Sequence, residues 1–134
     1  WRYEIRFFLT QKNTTVGEIE KNFNIIKKSF KKAVQEKCDF FLTTELSLIG
    51  YPPQDLLFRD DFLKKVEIYK QKIIKLTKKN STIFLLNIPN KEKKEIYNTL
   101  FLIQSGSIIY KINKTILPNY GVFDEKRYFS SKKI

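Results

Sequence analysis

No histidine occurs anywhere in the chain. That excludes serine–histidine triads, cysteine–histidine dyads and most zinc sites, because each depends on an imidazole, and no metal site is expected. Cysteine occurs once, at Cys38, so no intramolecular disulfide can form, which fits a reducing compartment. Cys38 falls at a helix-to-strand junction with no imidazole to activate it, and it reads as an inert buried thiol rather than a nucleophile. Methionine is missing, even at position 1, so the sequence reads as an excerpt from a longer chain. No apolar run approaches the ~18 residues that cross a bilayer. The opening Trp1-Arg2-Tyr3-Glu4-Ile5-Arg6 has no long apolar core behind it, unlike a signal peptide. The expected location is cytoplasmic, with no membrane partner.

Arginine is scarce, confined to Arg2, Arg6, Arg59 and Arg127, although the formal charge is +12 from 26 basic and 14 acidic residues. Such a charge suggests nucleic acid, but arginine is the usual bidentate reader of phosphate and guanine, and here lysine dominates. The lysines cluster on helices, as in Lys27-Lys28, Lys31-Lys32, Lys64-Lys65 and Lys78-Lys79, where they read as a solvated outer face. Lysine, isoleucine, asparagine and phenylalanine together match the coding bias of an AT-rich genome, which raises charge without a functional cause. The aromatics follow the helix cores instead of interleaving with exposed basic residues, so no nucleic-acid partner is expected. Hydrophobic residues at 42% and aromatics at 15% exclude a disordered tail, and 134 residues is one domain's length.

Ile5 to Leu9 reads as a short buried strand. From Gly17 to Lys37, Ile19, Phe23, Ile26, Phe30 and Val34 recur at helical spacing. Asp39 to Thr44 is a continuous apolar run ending in threonines, the pattern of a strand buried on both faces. Gly50-Tyr51-Pro52-Pro53 breaks any regular element. Asp60 and Asp61 open a second helix with the stripe Phe62, Val66, Tyr69, Ile73 and Leu76. Thr82 to Ile88 is a further strand, and Tyr97 to Ile103 and Ser107 to Tyr110 flank Gly106 as a hairpin. This order predicts an α/β layered fold with helices packed on a sheet. Past Pro118 the periodicity is lost and an aromatic-rich loop is expected.

Glu45 directly follows the apolar strand, and catalytic groups on α/β sheets commonly sit at the carboxyl ends of strands. Held against apolar walls, its pKa would rise by desolvation, which suits a general base; on position alone, a loop acid facing water reads as well. Lys114 follows the last hairpin strand, where a lysine can stabilise an oxyanion; in so lysine-rich a chain a solvated lysine is the plainer reading. Gln104-Ser105-Gly106-Ser107 lacks the lysine and helix of a phosphate loop and reads as a turn.

Three segments together resemble the glutamine-dependent NAD+ synthetases, whose amino-terminal domain belongs to the nitrilase superfamily. Gln11-Lys12-Asn13-Thr14-Thr15-Val16-Gly17-Glu18-Ile19-Glu20-Lys21-Asn22 is similar to a Q-x-N-x-x-V-G-D-I-x-x-N opening shared across nitrilases. Glu45 to Leu57 (E-L-S-L-I-G-Y-P-P-Q-D-L-L) and Lys114 to Phe129 (K-T-I-L-P-N-Y-G-V-F-D-E-K-R-Y-F) are specific to the synthetase branch. The resemblance implies a nitrilase-type α-β-β-α sandwich, incomplete in this chain, with residues 1–134 forming the front of a glutaminase domain. It implies a Glu–Lys–Cys triad with Glu45 as general base and Lys114 stabilising the tetrahedral intermediate. Tyr51, Tyr120 and Phe123 then fall in loops lining the glutamine pocket. The ammonia released passes to a synthetase domain that amidates deamido-NAD+ with ATP and Mg2+; the glutaminase domain itself needs no cofactor. The implied partners are glutamine, the remainder of the synthetase chain and further copies of the parent enzyme in a homo-oligomer. Glu45 and Lys114 are expected roughly 3–5 Å apart at the carboxyl ends of neighbouring strands.

Two features depart from the family pattern. Thr44 stands where proline usually precedes the glutamate, and the family's cysteine is expected beyond Ile134. Other readings of the same residues are a stand-alone nitrilase-type amidase, a non-catalytic remnant of the synthetase and a lysine-rich nucleic-acid module.

Overall fold

A computed structural model describes residues 4–10, 14–44, 47–49, 59–93 and 95–113. The elements run β1 (Phe7–Leu9), α1 (Ile19–Gln35), β2 (Phe40–Leu42), α2 (Asp60–Leu76), β3 (Ile83–Glu92), β4 (Glu95–Gln104) and β5 (Ser107–Asn113). The elements follow the expected order, and the strands form one sheet in the order β1-β2-β3-β4-β5. β1, however, covers only Phe7–Leu9 and is largely exposed instead of buried, since it has β2 alone as a ladder partner among the described residues. β3, β4 and β5 run longer than expected. β1, β2 and β3 are parallel, and β4 and β5 add antiparallel hairpin arms. Parallel neighbours need crossover helices, and crossovers of one hand stepping in one direction put α1 and α2 on the same face.

That face holds the core. Phe41 and Phe84 lie side by side on β2 and β3 with ring centroids 4.9 Å apart, and Phe30 of α1 packs on both at 5.3 and 5.1 Å. Phe23 and Tyr69 meet edge to face at 5.1 Å and join the two helices. Ile19, Ile26, Ala33, Val66, Ile73, Leu86, Ile88, Phe101 and Ile103 complete the cluster. The paired lysines lie on the outer faces as expected, with Lys28, Lys31, Lys32, Lys64, Lys65, Lys78 and Lys79 all exposed. Lys70 is the exception, only 8% exposed, with its ammonium 2.9 Å from Glu67 and 4.9 Å from the Phe101 ring centre.

Residues directly opposite one another across a ladder share a face. Leu9, Leu42, Leu85, Leu102 and Tyr110 therefore form a row on the face away from the helices. That second face is apolar yet half-buried to exposed: Phe7 is 62% and Leu9 57% accessible. A sheet apolar on both faces belongs in a sandwich, where a second layer covers the side that the helices leave open.

Local chemistry explains how the elements end. α1 stops in a Schellman arrangement, with the Cys38 N–H donating to the Ala33 carbonyl and the Lys37 N–H to that of Val34, each at 3.0 Å. Lys37 takes the left-handed φ of 56° there, a position more often filled by glycine. α2 begins at its two aspartates, and the Arg59 guanidinium, bonded to Asp61 at 2.9 and 3.3 Å, holds that carboxyl below its ordinary pKa. Ser105 and Gly106, at φ 52° and 82°, make the two-residue turn between β4 and β5. β3 continues to Glu92, four residues past the expected end at Ile88 and through Pro89. The proline is tolerated because β2 pairs only as far as Leu85; beyond that point, among the described residues, β3 has β4 as its one ladder partner. No helix among the described residues is long and apolar enough to cross a membrane.

Candidate active site

β4 reverses the direction of β3 and β5 reverses it again, so β2, β3 and β5 all point their carboxyl ends the same way. Glu45 comes three residues after the end of β2, and Lys114 directly follows the end of β5. β2 and β5 therefore finish at one end of the sheet, the end where α/β folds place their chemistry. Glu45, Tyr51, Lys114, Tyr120 and Phe123 themselves lie outside the described residues, and so does the expected contact between Glu45 and Lys114.

One part of that expectation needs correction. β2 and β5 are not neighbours: β3 and β4 stand between them, a separation of roughly 14 Å at the usual strand spacing. Any convergence of the two residues must come from the connections beyond the strand ends. The ladders do bring those ends to a similar height, since Asn113 pairs with Thr99 and Thr99 with Ile88, three residues beyond the Leu42–Leu85 rung. Asn113 is also fixed sideways, its buried carboxamide oxygen accepting the Thr99 hydroxyl at 2.6 Å.

The described flanks of Glu45 show how its loop is held. The Thr44 carbonyl accepts the Ser47 N–H at 3.2 Å. Leu48 and Ile49 are fully buried in the helix-side core. Their carbonyls reach the start of α1. Asn22 donates through Nδ2 to Leu48 at 2.9 Å, and the Gly17 N–H donates to Ile49 at 2.9 Å. Gly17 has a φ of 80°, a left-handed turn that brings its N–H to this partner. The opening motif and the glutamate motif, 26 residues apart at Asn22 and Leu48, thus meet by direct hydrogen bonds.

Ser47 stands out within this loop. It is 4% exposed, and among the described residues its hydroxyl has no hydrogen-bond partner. A buried, unbonded hydroxyl carries a desolvation cost of about 1–3 kcal/mol that an alanine methyl does not. Ser47→Ala is therefore expected to hold or raise the stability, by about 1 kcal/mol, in urea titrations. A loss of that size would show that the hydroxyl is bonded after all.

Cys38 lies at the other end of β2, two residues before Phe40, half-buried against the core. Its carbonyl accepts the Thr82 hydroxyl at 2.8 Å, a bond that helps hold the amino-terminal ends of β2 and β3 together. A groove of about 540 Å³ between α2 and the far end of β3 is lined by charges that satisfy one another, Lys91 with Asp60 at 3.5 Å and Lys70 with Glu67 at 2.9 Å. Sequence reasoning missed the role of Asn22; the signal available was an asparagine on the apolar stripe of α1, where a polar side chain needs a partner.

A mixed sheet with two helices on one face and an apolar second face defines a layered α/β domain with one side left for a further layer. Residues 9–133 match the carbon-nitrogen hydrolase family, and the chain belongs to it. Among individual proteins, it is 41% identical over 121 residues to the glutamine-dependent NAD(+) synthetase of Aquifex aeolicus, covering 90% of this chain and 21% of that one. The Thermotoga maritima synthetase is 35% identical, with 93% and 22% covered. The chain thus spans about a fifth of the length of these relatives. The solved structure of the Acinetobacter baumannii glutamine-dependent NAD+ synthetase superposes with a TM-score of 0.83 at 30% identity, over 97% of this chain and 24% of that one. An amidase from Nesterenkonia sp. shares the fold, with a TM-score of 0.84 at 20% identity, over 97% and 49%.

Proposed function

We propose that this chain is the front of the glutaminase domain of a glutamine-dependent NAD+ synthetase. The observation that carries the reading is the 35–41% identity to glutamine-dependent NAD(+) synthetases over nine-tenths of the chain. The bonding of Gly17 and Asn22 to the Ile49 and Leu48 carbonyls supports it by joining the nitrilase-wide opening motif to the segment that follows Glu45 in sequence.

In this reading Glu45 takes the proton of a cysteine thiol supplied by a later strand. The thiolate attacks the glutamine amide carbon, and Lys114 stabilises the negative charge that develops on the amide oxygen. Collapse of the tetrahedral species breaks the C–N bond; the amide nitrogen leaves as ammonia with the proton that Glu45 had taken. Water then cleaves the thioester to glutamate, with Glu45 accepting its proton. No imidazole enters any step, in keeping with a chain that has none. Tyr51, Tyr120 and Phe123 line the glutamine pocket, and the ammonia is passed on for amidation of deamido-NAD+. ATP and Mg2+ belong to the synthetase portion. The one glycine–serine segment here, Gln104 to Ser107, is a two-residue hairpin turn and offers no phosphate cradle.

The test is amide hydrolysis by a longer chain continuing through the next cysteine, offered glutamine or simple aliphatic amides. Preference for glutamine supports the synthetase reading. Preference for simple amides would replace it with a stand-alone amidase.

A further inference from the structure

We propose that Asn22 is a positioning residue for the Glu45 loop, acting through the Leu48 carbonyl; the catalytic meaning of this rests on the function proposed for Glu45. Asn22 is 0% exposed and makes three hydrogen bonds. Two close locally on Thr15: its Oδ1 accepts the Thr15 N–H at 2.8 Å, and its Nδ2 donates to the Thr15 carbonyl at 2.7 Å. These alone would serve to hold the turn before α1, whose N-terminus has no side-chain cap from Glu18. The third bond, 2.9 Å from Nδ2 to the Leu48 carbonyl, leaves the helix and grips the loop three residues past Glu45.

The loop is thus held from both sides. Upstream, Leu42 is locked in the sheet beside Leu85, and the Leu42 carbonyl accepts the Thr10 N–H at 3.0 Å. Downstream, Leu48 and Ile49 have no exposed surface, and both of their carbonyls are bonded to the α1 entry, one by Asn22 and one by Gly17. Only five residues separate Leu42 from Leu48, so a shift of residue 48 is expected to be passed along that short stretch. A general base works only within hydrogen-bond reach of its proton, so a loop shift of about an ångström separates an aligned carboxylate from an idle one.

The experiment uses the 134-residue protein itself and reads amide hydrogen exchange together with the carbon-13 titration of the Glu45 carboxyl. Asn22→Asp keeps the shape and the acceptor for the Thr15 N–H but removes the Nδ2 donor to both the Thr15 and the Leu48 carbonyls. Asn22→Ser is the uncharged change, removing the carboxamide that makes all three bonds. Both variants are expected to speed exchange at Ser47, Leu48 and Ile49 by roughly tenfold, the worth of one buried hydrogen bond, and to move the Glu45 titration. Amides in the middle of α1 and β3 should hold their wild-type rates. Exchange that rises only at Thr15, with the Glu45 titration unmoved, would overturn the proposal and leave Asn22 as a helix cap. A uniform rise through α1, β2 and β3 in both variants would overturn it too, by showing general loosening. If instead Glu45→Gln left glutamine hydrolysis by the longer chain intact, the catalytic reading of Glu45 would fall while the Asn22 result stood.

Discussion

Residues 1–134 are expected to release no glutamate from glutamine above background, and Cys38→Ala is expected to change nothing. The one thiol is in the wrong place. Cys38 lies at the amino end of β2, where its N–H bonds to Ala33 in the turn that ends α1, whereas Glu45 follows the carboxyl end of β2. At about 3.3 Å per residue the seven-residue separation is roughly 20 Å, far outside proton-transfer reach. No acyl-enzyme can form without a nucleophile beside the base, and neither a carboxylate nor an ammonium replaces a thiolate. In a longer chain continuing through the next cysteine, hydrolysis should appear. There Glu45→Gln should cost about 10²–10⁴-fold through loss of the general base, and Lys114→Met about 10²–10³-fold through loss of oxyanion stabilisation. Glutamate release by residues 1–134 that disappears in Cys38→Ala would sink this assignment of the nucleophile.

Phe41→Ala is expected to remove about 3–5 kcal/mol of stability, a large share of the 5–15 kcal/mol that holds an ordinary domain together. Phe41 has no exposed surface, stands on the short strand β2 between β1 and β3, and packs on Phe30 and Phe84 with ring centroids 5.3 and 4.9 Å away. Rings from α1, β1 and β3 pack against it, so its removal leaves a cavity that cannot readily collapse. Phe7→Ala is the control. Phe7 is 62% exposed on the opposite face, stacked at 5.0 Å on Phe40, and its loss should cost about 1 kcal/mol or less. Urea titrations of both variants against the parent protein measure the difference. Equal costs would mean that in solution the second face is covered as well as the first.

What is written locally is where the strands end: β2 and β5 finish at one end of the sheet, as the apolar run before Glu45 and the hairpin arm before Lys114 suggest. Position alone leaves Glu45 equally readable as a loop acid and Lys114 as a solvated lysine, and their proposed roles rest on the resemblance. The lateral separation of β2 and β5 was not legible. Whether two strands lie side by side depends on the order in which strands pair, and no single segment records that order. Tyr51, Tyr120 and Phe123 rest on resemblance alone, since their segments follow no period from which an orientation could be read.

By itself the sequence determined the succession of elements and the faces of both helices. A stripe such as Ile19, Phe23, Ile26 and Phe30 can be buried on only one side of a 3.6-residue turn, and Asp39 to Thr44 had no polar alternation to expose. The family, too, was readable from motifs standing in order. Only the tertiary structure decided that Asn22 and Ser29 sit inside rather than outside, that Lys70 is buried against Phe101, and that β3 runs through Pro89. It alone joined the Gly17–Asn22 turn to the loop behind Glu45. The physical reason is the same throughout. Apolar burial follows a period that neighbours in sequence already display, whereas a buried polar group is tolerated only where a distant segment supplies its partner, and the folded chain brings that partner into reach.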